Sequence, residues 1–179
     1  MKKLFLGLMT SLTLLTGCDM IEDMDNTPTK KVEAYLNKFQ MADKDVESYI
    51  EDTIDEETDF TPDQIEEYKK ILKNNYQKMT YTIKDEKIDG DKAIVTAEIT
   101  VIDYTKAIDD IDNYYDNNSE LKDNDNNIMS LSEYKISRLK EVKDTATYTV
   151  DFELDKKEDV WVIQNPSNEI MQKINGVYK

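Results

Sequence analysis

The sequence predicts a single α+β domain. Three observations point there. Apolar residues recur with the period of a helix before residue 79 and with the period of a strand in two later blocks. Turn and capping signals bound those blocks. The chain has 179 residues, enough for one ordinary core, and carries no internal repeat.

Each element has its own signal. Val32, Tyr35, Leu36 and Phe39 fall at i, i+3, i+4 and i+7 of a helix that begins near Thr29, and Val46, Tyr49 and Ile50 resume the stripe after a polar break. Thr61-Pro62-Asp63-Gln64 combines an N-cap threonine, proline at the first helical position and glutamine at N3, a capping box. Ile65, Tyr68, Ile71 and Leu72 then mark the buried face of that helix. At Met79 the period changes to two: Tyr81 and Ile83 alternate with Thr80, Thr82 and Lys84, and Asp89-Gly90 signals a tight hairpin. Beyond it, Ala93, Val95, Ala97, Ile99 and Val101 form one strand face. Ile94, Thr96, Glu98, Thr100, Ile102 and Tyr104 form the other, which is half polar and calls for partial cover.

Residues 105–143 read as helical with an interruption, a polar loop from Asp116 to Asn127. Ser130 with Glu133 gives a second capping box, continued by Leu131, Tyr134, Leu139 and Val142. Strand alternation returns at Ala146, Tyr148, Val150, Phe152 and Leu154, turns at Asp155–Asp159, and continues in Val160-Trp161-Val162-Ile163. Asn165-Pro166 reads as an N-cap and first helical residue, Ile170, Met171 and Ile174 as a short apolar face, and Gly176 as the stop.

The N-terminal segment is of another kind. Lys2 and Lys3 precede an uncharged, leucine-rich run from Leu4 to Leu15, too short to span a bilayer. Leu15-Thr16-Gly17-Cys18 follows. The run resembles the lipobox of bacterial lipoproteins: leucine, a small residue, glycine or alanine, then cysteine. The resemblance implies residues 1–17 as a cleaved signal peptide. It also implies Cys18 as the attachment site of diacylglycerol, with or without an N-acyl chain. Two acyl chains anchor stably at about 0.8 kcal/mol per buried CH₂. The expected location is the extracytoplasmic face of the cell membrane. A secreted protein with a chance cysteine and an uncleaved apolar helix are the competing readings. Residues 18–28 then form a tether of about 30 Å at full extension, and residues 29–179 the domain.

Composition excludes several functions. The formal net charge is −16; without the two leader lysines, 21 basic residues face 39 acidic ones, or −18. Such a surface repels phosphate backbones, so no nucleic-acid partner is expected. It also repels anionic headgroups, which leaves the anchor as the expected membrane contact. Cys18 is the single cysteine and histidine is absent. Disulfides, Ser-His or Cys-His nucleophile pairs and the usual zinc ligand are therefore missing. Asp123-Asn124-Asp125-Asn126-Asn127 offers oxygens at positions 1, 3 and 5 of a calcium loop, but position 6 is Ile128 and position 12 is Tyr134. No metal site and no cofactor beyond the lipid is expected.

The order of elements, Pro28 to Leu36, the Ile88–Val95 turn and strand, and Trp161 together resemble the NTF2-like (cystatin-like) superfamily, and more narrowly small lipoproteins of Gram-positive bacteria. The resemblance implies a cone: a curved antiparallel sheet packed on N-terminal helices, here with a helical insertion between hairpins. The open end of such a cone is often a pocket, which the tail after Ile163 or the Asn/Asp-rich insertion would cover.

Candidate residues follow. Glu98 and Tyr104 on one strand face, with Tyr148 as a neighbour, offer a carboxylate–tyrosine pair for proton transfer if burial raises the carboxyl pKa. Eleven tyrosines suit a wet binding surface, although Tyr35, Tyr68 and Tyr134 fit core stripes. In the adjacent pair Tyr114-Tyr115, one ring is expected to be exposed. Arg138, the lone arginine, either pairs locally or holds a ligand anion, the local pair being favoured. The expected function is a non-catalytic, membrane-anchored domain binding a small molecule, wall fragment or protein. A lipid-anchored hydrolase or isomerase and a purely structural module of the envelope are the alternatives.

Overall fold

The computed structural model describes residues 26–55, 57, 59–118 and 129–179. The leader, Cys18, most of the tether and the Asp123–Asn127 run lie outside the described residues. Among the described residues, six helices and four strands follow in the order α1 (Pro28–Met41), α2 (Lys44–Asp55), α3 (Pro62–Lys78), β1 (Thr80–Asp89), β2 (Lys92–Ile102), α4 (Thr105–Asn118), α5 (Leu131–Glu141), β3 (Thr145–Lys157), β4 (Val160–Ile163) and α6 (Asn168–Asn175). The strands form one open antiparallel sheet in the order β1-β2-β3-β4. The architecture is α+β, as expected, with helices α4 and α5 inserted between the two central strands.

Local chemistry sets the helix ends. Thr27 caps α1, accepting from the Lys30 amide, with Pro28 at the first turn. The polar break is a sharp one: Ala42 adopts left-handed φ 45°, and the Asp43 carboxylate accepts from the Asp45 and Val46 amides to start α2. Both predicted capping boxes form, at Thr61/Gln64 and Ser130/Glu133. At α6 the cap differs from the expectation. Ser167, not Asn165, accepts from the Ile170 amide, and Pro166 lies before the helix. Serine three residues ahead of a free amide competes better for it than asparagine five residues ahead.

The β1–β2 loop is Gly90-Asp91, since Asp89 pairs with Lys92. Gly90 takes φ 61° and Asp91 is not left-handed, the pattern of a type II′ turn. The second turn sits at Glu158-Asp159, both at positive φ, so it starts three residues beyond the predicted turn start at Asp155.

Register places Ala93, Val95, Ala97, Ile99 and Val101 opposite Leu154, Phe152, Val150, Tyr148 and Ala146 on the inner face. Every one of the five β2 residues is buried. Helix α1 crosses β1, β2 and β4, while α3 and α6 reach β2. Val32, Leu36 and Phe39 of α1 are fully buried against this face. Burying each such side chain stabilises by roughly 1.5–3 kcal/mol. Edge-on ring contacts, Tyr35 to Phe152 at 5.8 Å and Phe39 to Tyr76 at 5.3 Å, tie α1 to β3 and α3. Helices α4 and α5 pack on one another, and α5 on α3, as a second helical layer.

The outer face is polar. Thr96 donates to Asp151 at 2.6 Å, Thr100 and Thr147 share a 2.9 Å hydrogen bond, and Ile94 is exposed. Among the described residues, the partial cover expected from sequence lies at the end of β2. There the Tyr104 amide donates to the Gly176 carbonyl at 2.8 Å, and Ile102 and Tyr104 are buried. At the N terminus, Asn26 is pinned to the β3–β4 hairpin. Its amide nitrogen donates to the Asp159 carbonyl at 2.7 Å, and its oxygen accepts from the Trp161 amide at 3.1 Å.

Candidate functional site

The predicted carboxylate–tyrosine pair is not assembled. Glu98 stands opposite Thr82 and Thr149 on the outer face and is ion-paired to Lys84 at 2.9 Å. Tyr148 pairs with Ile99, so it projects from the opposite face; a strand turns successive side chains to opposite sides. Its hydroxyl donates to the Tyr178 carbonyl at 3.5 Å. Tyr104 lies beyond the last paired residue of β2 and is buried among helices, where desolvation pushes its pKa up to about 12. Sequence alternation alone could not reveal that this residue leaves the strand.

The tyrosine pair also differs from expectation. Tyr114 and Tyr115 are both half-buried. Tyr114 stacks on Tyr134, with centroids 3.9 Å apart, and donates to the Met129 carbonyl at 2.6 Å. Arg138 makes local pairs, with Asp110 and, at 2.7 Å, with Glu141. The hydrogen bond to Asp110 raises its pKa further. Its guanidinium joins α5 to α4 and is committed to that contact.

Two hollows remain. One lies between α3, α4 and the C-terminal tail, lined by Tyr68, Asn75, Tyr76, Tyr104, Ile108 and Asn175 among others, with a volume of about 30 Å³. A ligand cavity takes roughly 300–1,000 Å³, so this one has room for little more than a water molecule. Its wall carries a buried polar chain. Tyr76 donates to Asn175 Oδ1 at 2.7 Å, Asn175 Nδ2 donates to the Tyr49 hydroxyl at 3.1 Å, and Asn75 Oδ1 has no partner among the described residues. The chain fastens α6 to α2 and α3.

The second hollow is a groove of about 380 Å³ at the rim of the sheet. One wall is β3 from Thr149 to Glu153; the other is the segment Gln164–Ser167 with Glu169, Ile170 and Lys173 of α6. It exists because the paired strands differ in length. β4 pairs with β3 only over Leu154–Lys157, and one further bond, Gln164 N–H to the Glu153 carbonyl at 2.8 Å, closes the ladder. The chain then turns away at Asn165-Pro166. Glu169 is held below the usual carboxylate range by its hydrogen bond to Lys173, 2.6 Å away.

Sequence reasoning missed two buried polar features. Asn75 and Tyr76 continue the stripe of Tyr68 and Leu72 at helical spacing. Lys135 is 2% exposed, paired with Glu57, with its ammonium 4.9 Å from the Tyr68 ring centroid. It lies four residues from Leu131 and four from Leu139, so the α5 stripe itself marks it as inward-facing. Glu57→Ala should destabilise the fold by roughly 2–3 kcal/mol, because it leaves a buried ammonium without that carboxylate. Lys135→Met should stay within about 1 kcal/mol of the parent. Urea unfolding midpoints decide; equal losses in both variants would contradict the argument.

Among the described residues no group of three or more His, Cys, Asp or Glu is placed to hold a metal, and no helix is long and apolar enough to cross a membrane.

No protein-family model matches the chain, and no curated protein matches it. Among solved structures, the fold is similar to the crystal structure of a "putative lipoprotein" (ycdA) from Bacillus subtilis. The TM-score is 0.50 at 16% identity, over 84% of this chain. The match spans about 55% of the length of that protein. At this identity the likeness is one of fold.

Proposed function

We propose that this chain is an exported lipoprotein, tethered by diacylglycerol on Cys18 to the extracytoplasmic face of the cell membrane, whose domain is a non-catalytic binding module of the NTF2-like kind. The observation that carries the proposal is Leu15-Thr16-Gly17-Cys18 directly after a short basic-then-apolar leader. The lipoprotein description of the Bacillus subtilis protein agrees with it. The NTF2-like assignment is supported by the order of elements and by helices gathered on one sheet face. Support for a binding rather than catalytic role is chemical. The sequence has no histidine, and the register sends Glu98 and Tyr148 to opposite faces. The groove beside β3 is in the size range of a ligand site.

The test is metabolic labelling with a clickable palmitate analogue. The parent chain should take the label and fractionate with membranes. Cys18→Ser should lose the label and either appear in the medium or persist as an unprocessed precursor. An unlabelled parent, or a Cys18→Ser variant with unchanged size and membrane retention, would overturn the assignment.

A further inference from the structure

The two long rims of the sheet are treated differently. The free rim of β1 is defended. Its register shifts between Ile83 and Asp85, and Lys84, Asp85, Glu86 and Lys87 follow in a charged run. Bulges and charges of this kind block strand addition. The free rim of β3 has no bulge and no charged run. From Thr145 to Phe152 it holds no lysine and no proline, its register against β2 is unbroken, and no described strand lies on its other side.

Which groups this rim offers follows from the ladder. The Glu153 carbonyl points outward to Gln164, whereas the Lys156 amide points inward to Asp91. Antiparallel pairing turns the N–H and C=O of alternate residues to the same side. The outward groups are therefore those of Asp151, Thr149 and Thr147. The groove of about 380 Å³ runs beside Thr149 and Asp151, with α6 as its far wall.

We propose that this rim receives an extended, basic segment of a partner protein, which adds as a strand beside β3 in line with β4. Main-chain hydrogen bonds would hold it, and the groove would take its side chains, the recognition mode of strand addition. Charge selects the occupant. Asp151, Glu153 and Glu169 line the groove against one ammonium, Lys173, which is already paired with Glu169. A second copy of the chain would bring a second Asp151 and Glu153 to the same rim, under a formal charge of −16 on each chain. The inference rests on the binding reading above and names its partner class. Its test is independent of lipidation, so either can fail alone.

The experiment is amide hydrogen exchange by NMR on the full chain in detergent micelles. The probe is a short capped peptide alternating lysine and valine. Exchange at Thr149 and Asp151 should slow about tenfold or more with this peptide. It should not change with the glutamate–valine counterpart, nor with a lysine–valine peptide N-methylated at every amide, which leaves neither edge able to donate. Thr149→Pro removes an outward amide at a rim position where proline is tolerated, and should abolish the effect. Should that variant not fold, the exposed double substitution Asp151→Asn with Glu153→Gln should weaken peptide binding about tenfold. No slowing at either amide overturns the proposal. Equal slowing by the glutamate peptide overturns its charge selection. Slowing that tracks protein concentration without peptide assigns the rim to a second copy instead.

Discussion

Gly176→Ala is expected to lower stability by about 3 kcal/mol or more. Three constraints meet at this residue. It ends α6 in the left-handed conformation, φ 70°, with its amide bonded back to the Lys173 carbonyl. Its own carbonyl accepts from the Tyr104 amide at 2.8 Å. A Cβ at this position would lie 1.8 Å from the Ile102 carbonyl oxygen, a backbone atom that cannot swing aside. Left-handed strain alone costs an alanine about 1–2 kcal/mol; the overlap adds the cost of moving α6 off the end of β2. Gly90→Ala carries positive-φ strain without the overlap. Gly90 has a similar φ of 61° and nothing within 4 Å of the added carbon, so its loss should stay at about 1–2 kcal/mol. Urea unfolding of the two variants separates the terms. Equal midpoints would show that the contact with Ile102 is not structural.

The sequence marks this glycine as a helix stop but not what it touches. That division holds through the molecule. Capping boxes, stripes and alternating faces are local chemistry, and Thr61, Ser130 and the Ala93–Val101 face lie where local chemistry puts them. Contacts between distant segments are not local. Tyr104 belongs to the β2 outer face by parity, yet the strand ends at Ile102, and the ring is claimed by the helices and the Gly176 turn. Tyr148 failed as a neighbour of Glu98 for a related reason. Which residues share a face across two strands depends on register, and here an inserted helical layer, not a short turn, connects β2 to β3 and leaves that register unset.

The groove was half legible. Val160-Trp161-Val162-Ile163 is visibly shorter than the run it pairs with, and the following Asn165-Pro166 cannot extend a strand. A mismatch of that kind implies an unpaired rim. What lies beside the rim, the α6 wall with Glu169 and Lys173, comes only from the docking of α6. That docking rests on Ile174 and on the Tyr49–Asn175–Tyr76 chain, assembled from three segments far apart in sequence.

Those buried rings make the fold sensitive to alkali. Tyr35, Tyr68, Tyr76 and Tyr104 are each no more than 7% exposed. Burial raises the pKa of all four above the ordinary value of 10.0, that of Tyr104 to about 12. Above pH 10 the unfolded chain has released protons that the native chain still holds. Stability therefore falls as pH rises, and each such ring contributes about 1.4 kcal/mol per pH unit until its native pKa is reached. Below pH 10 the contribution is fully present. For Tyr104 the interval is worth about 3 kcal/mol, and four rings titrating together are comparable with the net stability of an ordinary domain, about 5–15 kcal/mol. The protein should unfold cooperatively between about pH 10 and 12. The tyrosinate absorbance of these four rings should appear in the same step as the loss of circular dichroism. Tyr104→Phe removes one proton from the count while keeping the ring. It should leave stability at neutral pH within about 1 kcal/mol of the parent and make the alkaline limb shallower. Ionisation of all eleven tyrosines without any change in circular dichroism would show that the four rings are solvated in the native state.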